Sequence, residues 1–100
     1  MSADKIEVYK DEKLLELTQR MAMLRQEEVE FFLSNLEITS KGRTREDVAR
    51  GMITVYEETN AHLKNHYPDN TVAISWIGTN QFSANLLKER ISDPDPHTSA

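Results

Sequence analysis

The sequence predicts an all-α protein: a long antiparallel helical hairpin, a short C-terminal helix and a disordered C-terminal tail. Three observations lead there. The stretch 44–68, TREDVARGMITVYEETNAHLKNHYP, has a marked start, a helical period and a sharp stop. Residues 11–37 contain no Gly or Pro and carry apolar residues at helical steps. Between them, Ile38-Thr39-Ser40-Lys41-Gly42-Arg43 is polar and has the length of a connection between antiparallel helices.

Residues 1–10 are ambiguous. Lys5-Ile6-Glu7-Val8-Tyr9 alternates like a short edge strand, yet the same residues fit a backward extension of the next helix. We read them as a loose lead-in. From Asp11 to about Glu37, Leu14, Leu17, Met21, Leu24, Val29, Phe32, Leu33 and Leu36 share a broad apolar face, with Leu15 and Phe31 at its edges. Lys13, Glu16, Arg20, Glu27, Glu28 and Glu30 mostly take the rest. A helix of this length is roughly 40 Å long, against a radius of gyration of about 13 Å for a compact chain of this size, so it needs a long partner.

That partner starts at Thr44, an N-cap whose capping box is completed by Asp47. Val48, Met52, Val55, Tyr56 and Leu63 fall on one face. Tyr67-Pro68 ends the helix, because proline has no N–H to donate and disfavours α geometry in the residue before it. Two helices cannot cover both apolar faces, so a third element, a second chain or another protein must close the core. After the Asp69-Asn70 turn, residues 71–77 read either as a short strand or as a helix start capped by Asn70 or Thr71. Gly78-Thr79-Asn80 interrupts them, and a last helix runs from about Gln81 to Ile91 with Phe82, Leu86, Leu87 and Ile91 as its apolar face. Residues 1–91 are thus one helical domain, and SDPDPHTSA (92–100) is a disordered tail.

The chain's 100 residues leave little room for an enclosed cavity, and its net charge of −5 argues against a general nucleic-acid binder, which needs a basic surface. There are no cysteines, which excludes disulfide and thiolate chemistry. MSADKIEVYK has no apolar leader segment, and no apolar run approaches the ~20 residues of a membrane span. A soluble, cytoplasmic protein is expected.

Four features are candidates for function. Residues 44–64 invite a helix-turn-helix reading with Ala49 as the small residue. The turn glycine expected about four positions later falls at Ile53, however, so one uninterrupted helix is the better reading. Lys41, Arg43, Arg45 and Arg50 form the densest basic group and could grip phosphates or an acidic protein surface. The bland alternative is a solvated loop, with Arg45 and Arg50 paired to Glu46 and Asp47 or facing water. Glu58, His62 and His66 repeat every four residues, but no second helix supplies the ligands of a carboxylate-bridged metal site, and packed imidazoles are the commoner outcome. Finally, Tyr67-Pro68 is either a plain helix stop or an X–Pro bond that a prolyl isomerase can engage. No acid–base or nucleophilic set is evident, so no enzyme activity and no cofactor are expected.

An acidic helical chain of 100 residues with Tyr67-Pro68 after a long second helix resembles the anti-RecBCD accessory proteins of lambdoid phages. The resemblance implies a modulator of the host RecBCD helicase–nuclease that binds the RecC subunit, alters the response to Chi and diverts DNA ends to phage recombination. It also implies a host prolyl isomerase at Pro68, the one position that carries over. The expected contacts are Lys41, Arg43, Arg45 and Arg50 at the turn, with Tyr67, Pro68, Trp76 and Phe82 at the other end. The rival reading is a small dimeric DNA-binding regulator that uses residues 44–64.

Overall fold

The computed structural model describes residues 7–34 and 37–92, which include three long antiparallel helices. These are α1 (Glu12–Ser34), α2 (Arg45–His66) and α3 (Thr71–Ser92). A helix leaves its first N–H groups without intrahelical acceptors, and here a polar side chain answers each time. Asp11 Oδ1 accepts from the Leu14 N–H at 3.0 Å. Thr44 Oγ1 accepts from the Asp47 N–H at 3.1 Å while Asp47 Oδ2 accepts from the Thr44 N–H at 3.0 Å, the expected capping box. Asn70 Oδ1 accepts from Val72 and Ala73 at 2.9 and 3.1 Å.

The last cap corrects the expectation of a short C-terminal helix. Residues 71–77 are the first turns of α3 and not a strand, and Gly78-Thr79-Asn80 passes through without a break. A Cβ built on Gly78 meets nothing within 4 Å, so the glycine serves no packing need. Gly78→Ala is therefore expected to stabilise the protein by about 0.5–1 kcal/mol, seen as a rise of several degrees in a thermal melt.

The hairpin of α1 and α2 matches its predicted extent within a few residues. Its turn closes through the Ile38–Thr44 bridge and through Gly42, whose φ of 79° lies in the left-handed region. At the N-terminal side, residues 7–10 are helical and Val8 is buried, so this part of the lead-in belongs to the core. Residues 1–6 and the expected tail beyond Ser92 lie outside the described residues, as does Leu36.

α2 is the shared element. It packs against α1 on one side and α3 on the other, while α1 and α3 make no backbone approach to each other among the described residues. Val48, Met52, Val55, Tyr56 and Leu63 are all buried, as their spacing predicts. On α1 the inward seam is Leu14, Leu17, Met21, Leu24 and Phe31. Phe31 belongs to it, whereas Val29, Phe32 and Leu33 are exposed, which corrects the predicted face. On α3 the seam is Ala73, Ile77, Ala84, Leu87 and Ile91, and Phe82 and Leu86 face outward. Asn60 and Asn80 complete the α2–α3 contact. Asn80 Nδ2 donates to Asn60 Oδ1 at 3.0 Å, and Asn60 Nδ2 donates to the Ile77 carbonyl at 3.3 Å. A buried amide pair of this kind is satisfied only when both helices keep their register.

The body measures 50 × 31 × 18 Å with a radius of gyration of 15.8 Å, elongated for its length. No helix among the described residues is long and apolar enough to cross a membrane.

Candidate docking surface

The basic residues of the turn separate into different environments. Arg43 is turned inward onto Glu27. Its Nε donates to Oε1 and Oε2 at 2.9 and 3.2 Å, and Nη2 donates to Oε2 at 2.7 Å. The Thr39 hydroxyl donates to Oε1 at 2.9 Å, and Thr39 Oγ1 in turn accepts the N–H groups of Lys41 and Arg43 at 3.2 Å each. Glu27 is only 2% exposed, although its place among charged neighbours assigns it to the solvent face. The Arg43 fork holds the Glu27 carboxyl below the usual carboxylate range, against the opposing pull of burial. Arg43 therefore shapes the turn, with its side chain still 42% exposed.

Arg50 pairs with Glu46 at 3.3 Å on the exposed side of α2, as the bland reading expects. Arg45 does something the sequence did not suggest: its guanidinium lies over the rings of Phe31 and Phe32, 5.4 and 5.5 Å from their centroids. Lys41 is exposed at the turn.

The four residues expected at the opposite end are also dispersed. Tyr67 is half-buried, and its hydroxyl donates to Asp11 Oδ2 at 2.7 Å, while His62 Nε2 lies 2.9 Å from the same oxygen. Burial opposes ionisation of Asp11, but the hydrogen bonds from His62, Tyr67 and the Leu14 N–H outweigh it and lower its pKa to about 2. The bond to Asp11 pushes the Tyr67 phenol up to about 12. Tyr67 is thus a latch between the start of α1 and the end of α2. Pro68 is exposed in the turn that follows, and its peptide bond is trans. Trp76 is half-buried and faces inward between helices, whereas Phe82 is 65% exposed on the outside of α3, about 16 Å along the helix from its start. Tyr67, Pro68, Trp76 and Phe82 do not form one surface.

The histidines likewise have structural surroundings. Glu58 pairs with Arg20 at 2.8 Å, and the His62 and His66 rings lie 4.3 Å apart. Among the described residues, no group of three or more His, Asp or Glu side chains could hold a metal ion. Nor does residues 44–64 contain a turn: α2 is one helix, and Gly51 lies inside it, with its Cβ direction 3.1 Å from the Leu24 side chain.

What the structure brings together is a groove between α1 and α3. Val55, Tyr56 and Thr59 form its floor, Thr18, Ala22 and Arg25 one wall, and Trp76 and Asn80 the other, around about 300 Å³ of open space. Val72 and Tyr9 extend it toward the α2–α3 turn. Phe32, Arg45 and Arg90 border a smaller cleft at the other end. Arg25 Nη2 donates to the Tyr56 hydroxyl at 3.1 Å and so stays at the groove wall.

The sequence carries a signal for this groove. Beside the inward seam of α1, the positions Leu15, Thr18, Ala22, Arg25, Val29 and Phe32 repeat at alternating steps of three and four. Val72, Trp76, Thr79, Ser83, Leu86 and Arg90 do the same on α3. A helix with two adjacent seams has two neighbours to satisfy, and each of these helices has one.

The back of the molecule differs. Glu46, Arg50, Glu57 and Glu58 of α2 face outward there, and Arg20–Glu58 and Lys88–Glu57 pair at 2.8 Å. Comparison with family models, curated proteins and solved structures gave no match to this chain.

Proposed function

We propose that this chain is a non-enzymatic accessory protein that docks on a larger DNA-processing enzyme. The partner in this reading is the host RecBCD helicase–nuclease, contacted through RecC and redirected toward phage recombination. One observation carries the docking reading: apolar side chains on α1 and α3 stand uncovered beside a groove that α2 alone does not fill. Phe32, which borders the end cleft, is 73% exposed, and Val29 and Leu86, at the seam positions next to the groove walls, are about half exposed. An amphipathic helix normally buries such a stripe against another element. The identity of the partner rests on the resemblance carried by the acidic helical chain and Tyr67-Pro68. The exposure of Pro68 suits engagement by a prolyl isomerase.

The test is a pull-down from bacterial lysate with wild type and Pro68→Ala side by side, read by mass spectrometry. RecB, RecC and RecD are expected with both chains, and a prolyl isomerase with wild type alone. Retention of none of them, together with salt-sensitive binding of the chain to bare duplex DNA, would replace this reading with that of a DNA-binding regulator. Such a regulator would have to use something other than a helix-turn-helix at residues 44–64.

A further inference from the structure

We propose that the groove between α1 and α3 receives an acidic amphipathic helix of the partner, which completes a four-helix bundle on this chain. The inference rests on the docking reading and specifies its chemistry. A groove walled by two parallel helices, each antiparallel to α2 beneath it, with apolar and small residues at steps of three and four on both walls, is the negative of a helix. α3 has 22 residues, so the groove beside it matches roughly 20 residues, or about 30 Å, of helix.

The charge of the walls selects the occupant. The chain carries a net charge of −5, yet the groove and its end clefts are lined by Arg25, Arg45 and Arg90 against Glu28 alone among acidic side chains. Two of these guanidinium groups are already positioned, Arg25 by the Tyr56 hydroxyl and Arg45 by the Phe31 and Phe32 rings. Stacking uses the flat face of a guanidinium and leaves its N–H edges to meet a carboxylate. A second copy of this chain is the poorer occupant. It brings the same arginines and another net −5, and across a central two-fold axis Arg25, half-way along the groove, would face its own counterpart.

The experiment uses the full chain and two synthetic peptides of about 20 residues, the length that spans the groove. Both carry leucine at alternating steps of three and four. One has glutamate at the flanking positions and the other lysine. Trp76 is the only tryptophan in the chain and lines the groove, so its emission reports occupancy directly. The glutamate peptide is expected to shift that emission and to bind at least about tenfold more tightly than the lysine peptide, with an affinity that falls as salt rises. The double variant Arg45→Glu/Arg90→Glu is expected to invert the preference. Arg45 lies in the first turn of α2, where an acidic residue suits the helix dipole, and Arg90 is an exposed residue in the last turn of α3, where the opposing effect is confined to the helix end, so circular dichroism should show a retained fold.

Equal affinity for the two peptides, no emission change with either, or a preference unmoved by the double variant would each overturn the proposal. So would sedimentation showing a dimer in which Trp76 is already shielded without peptide, because the occupant would then be a second copy. Purified RecBCD separates the two levels of inference. If it binds wild type and the double variant alike, the groove assignment fails while the docking reading stands. If it binds neither, while the peptides behave as expected, the groove stands and RecBCD is the wrong partner.

Discussion

Arg43→Met is expected to lower the stability of the protein more than any other change to a side chain that is not fully buried. The loss belongs to Glu27. Its carboxylate is 2% exposed and has Arg43 as its counter-ion, and a buried carboxylate stripped of its partner costs on the order of 3–5 kcal/mol. Small domains have only about 5–15 kcal/mol in total, so the variant should show a sharply lower urea midpoint, with partial unfolding before any denaturant is added. Adding Glu27→Leu to the same chain should recover at least half of the deficit, because no charge is then left in the interior. If the single variant stays within about 1 kcal/mol of wild type, the clamp is not what holds the turn, and Arg43 returns as a candidate for partner contact.

Asp11→Ala is the second large effect. It removes the cap of α1 and also the acceptor on which Tyr67 and His62 converge, and the combined loss is expected at about 2–4 kcal/mol. The same carboxylate gives the protein an acid limb with a definite sign. Its folded pKa is depressed from 3.8 to about 2, so the fold favours the ionised form. The contribution is complete above about pH 4 and disappears as pH falls through the window between those values, for a total of about 2 kcal/mol. Glu27 is shifted in the same direction and adds to the acid loss. Comparing urea midpoints at pH 5 and pH 2.5 isolates the Asp11 share: Asp11→Asn should lose less between the two than wild type does. An equal loss in both chains would assign the acid sensitivity elsewhere.

Much of the fold was legible because it depends on neighbours in sequence. The capping box at Thr44 and Asp47, the period of Val48 to Leu63 and the stop at Tyr67-Pro68 are local instructions, and α2 follows them. The α3 misreading shows where such instructions compete. Val72, Ile74 and Ile77 favour a strand and Gly78 a break, but Asn70 supplies two capping bonds and the seam from Ala73 to Ile91 lies on α2. A glycine penalty of about 1 kcal/mol is small beside that burial.

The site was less legible, for a different reason. Four basic residues close in sequence read as one patch, but their partners lie far away along the chain: Glu27 for Arg43, Phe31 and Phe32 for Arg45. Glu27 could not be placed inside from its own neighbours, since a buried carboxylate is defined by what reaches it. The groove's second seam was visible in principle. It was absorbed into one broad apolar face, because a face too wide for a single partner looks the same as a generous one until the partner's width is known.

The lack of any backbone approach between α1 and α3 bears on how the chain is made. Both of its long interfaces join helices that are adjacent in sequence, so neither requires a distant segment to be captured, and the loop entropy to be overcome is small. During synthesis, α1 and α2 can close on each other around the Thr44 turn before α3 has left the ribosome. Asn60 then waits with its amide in water, and the arrival of Asn80 opposite it fixes the register of the last helix. The chain can therefore be completed in the order in which it is translated, one hairpin and then the next, with α2 common to both.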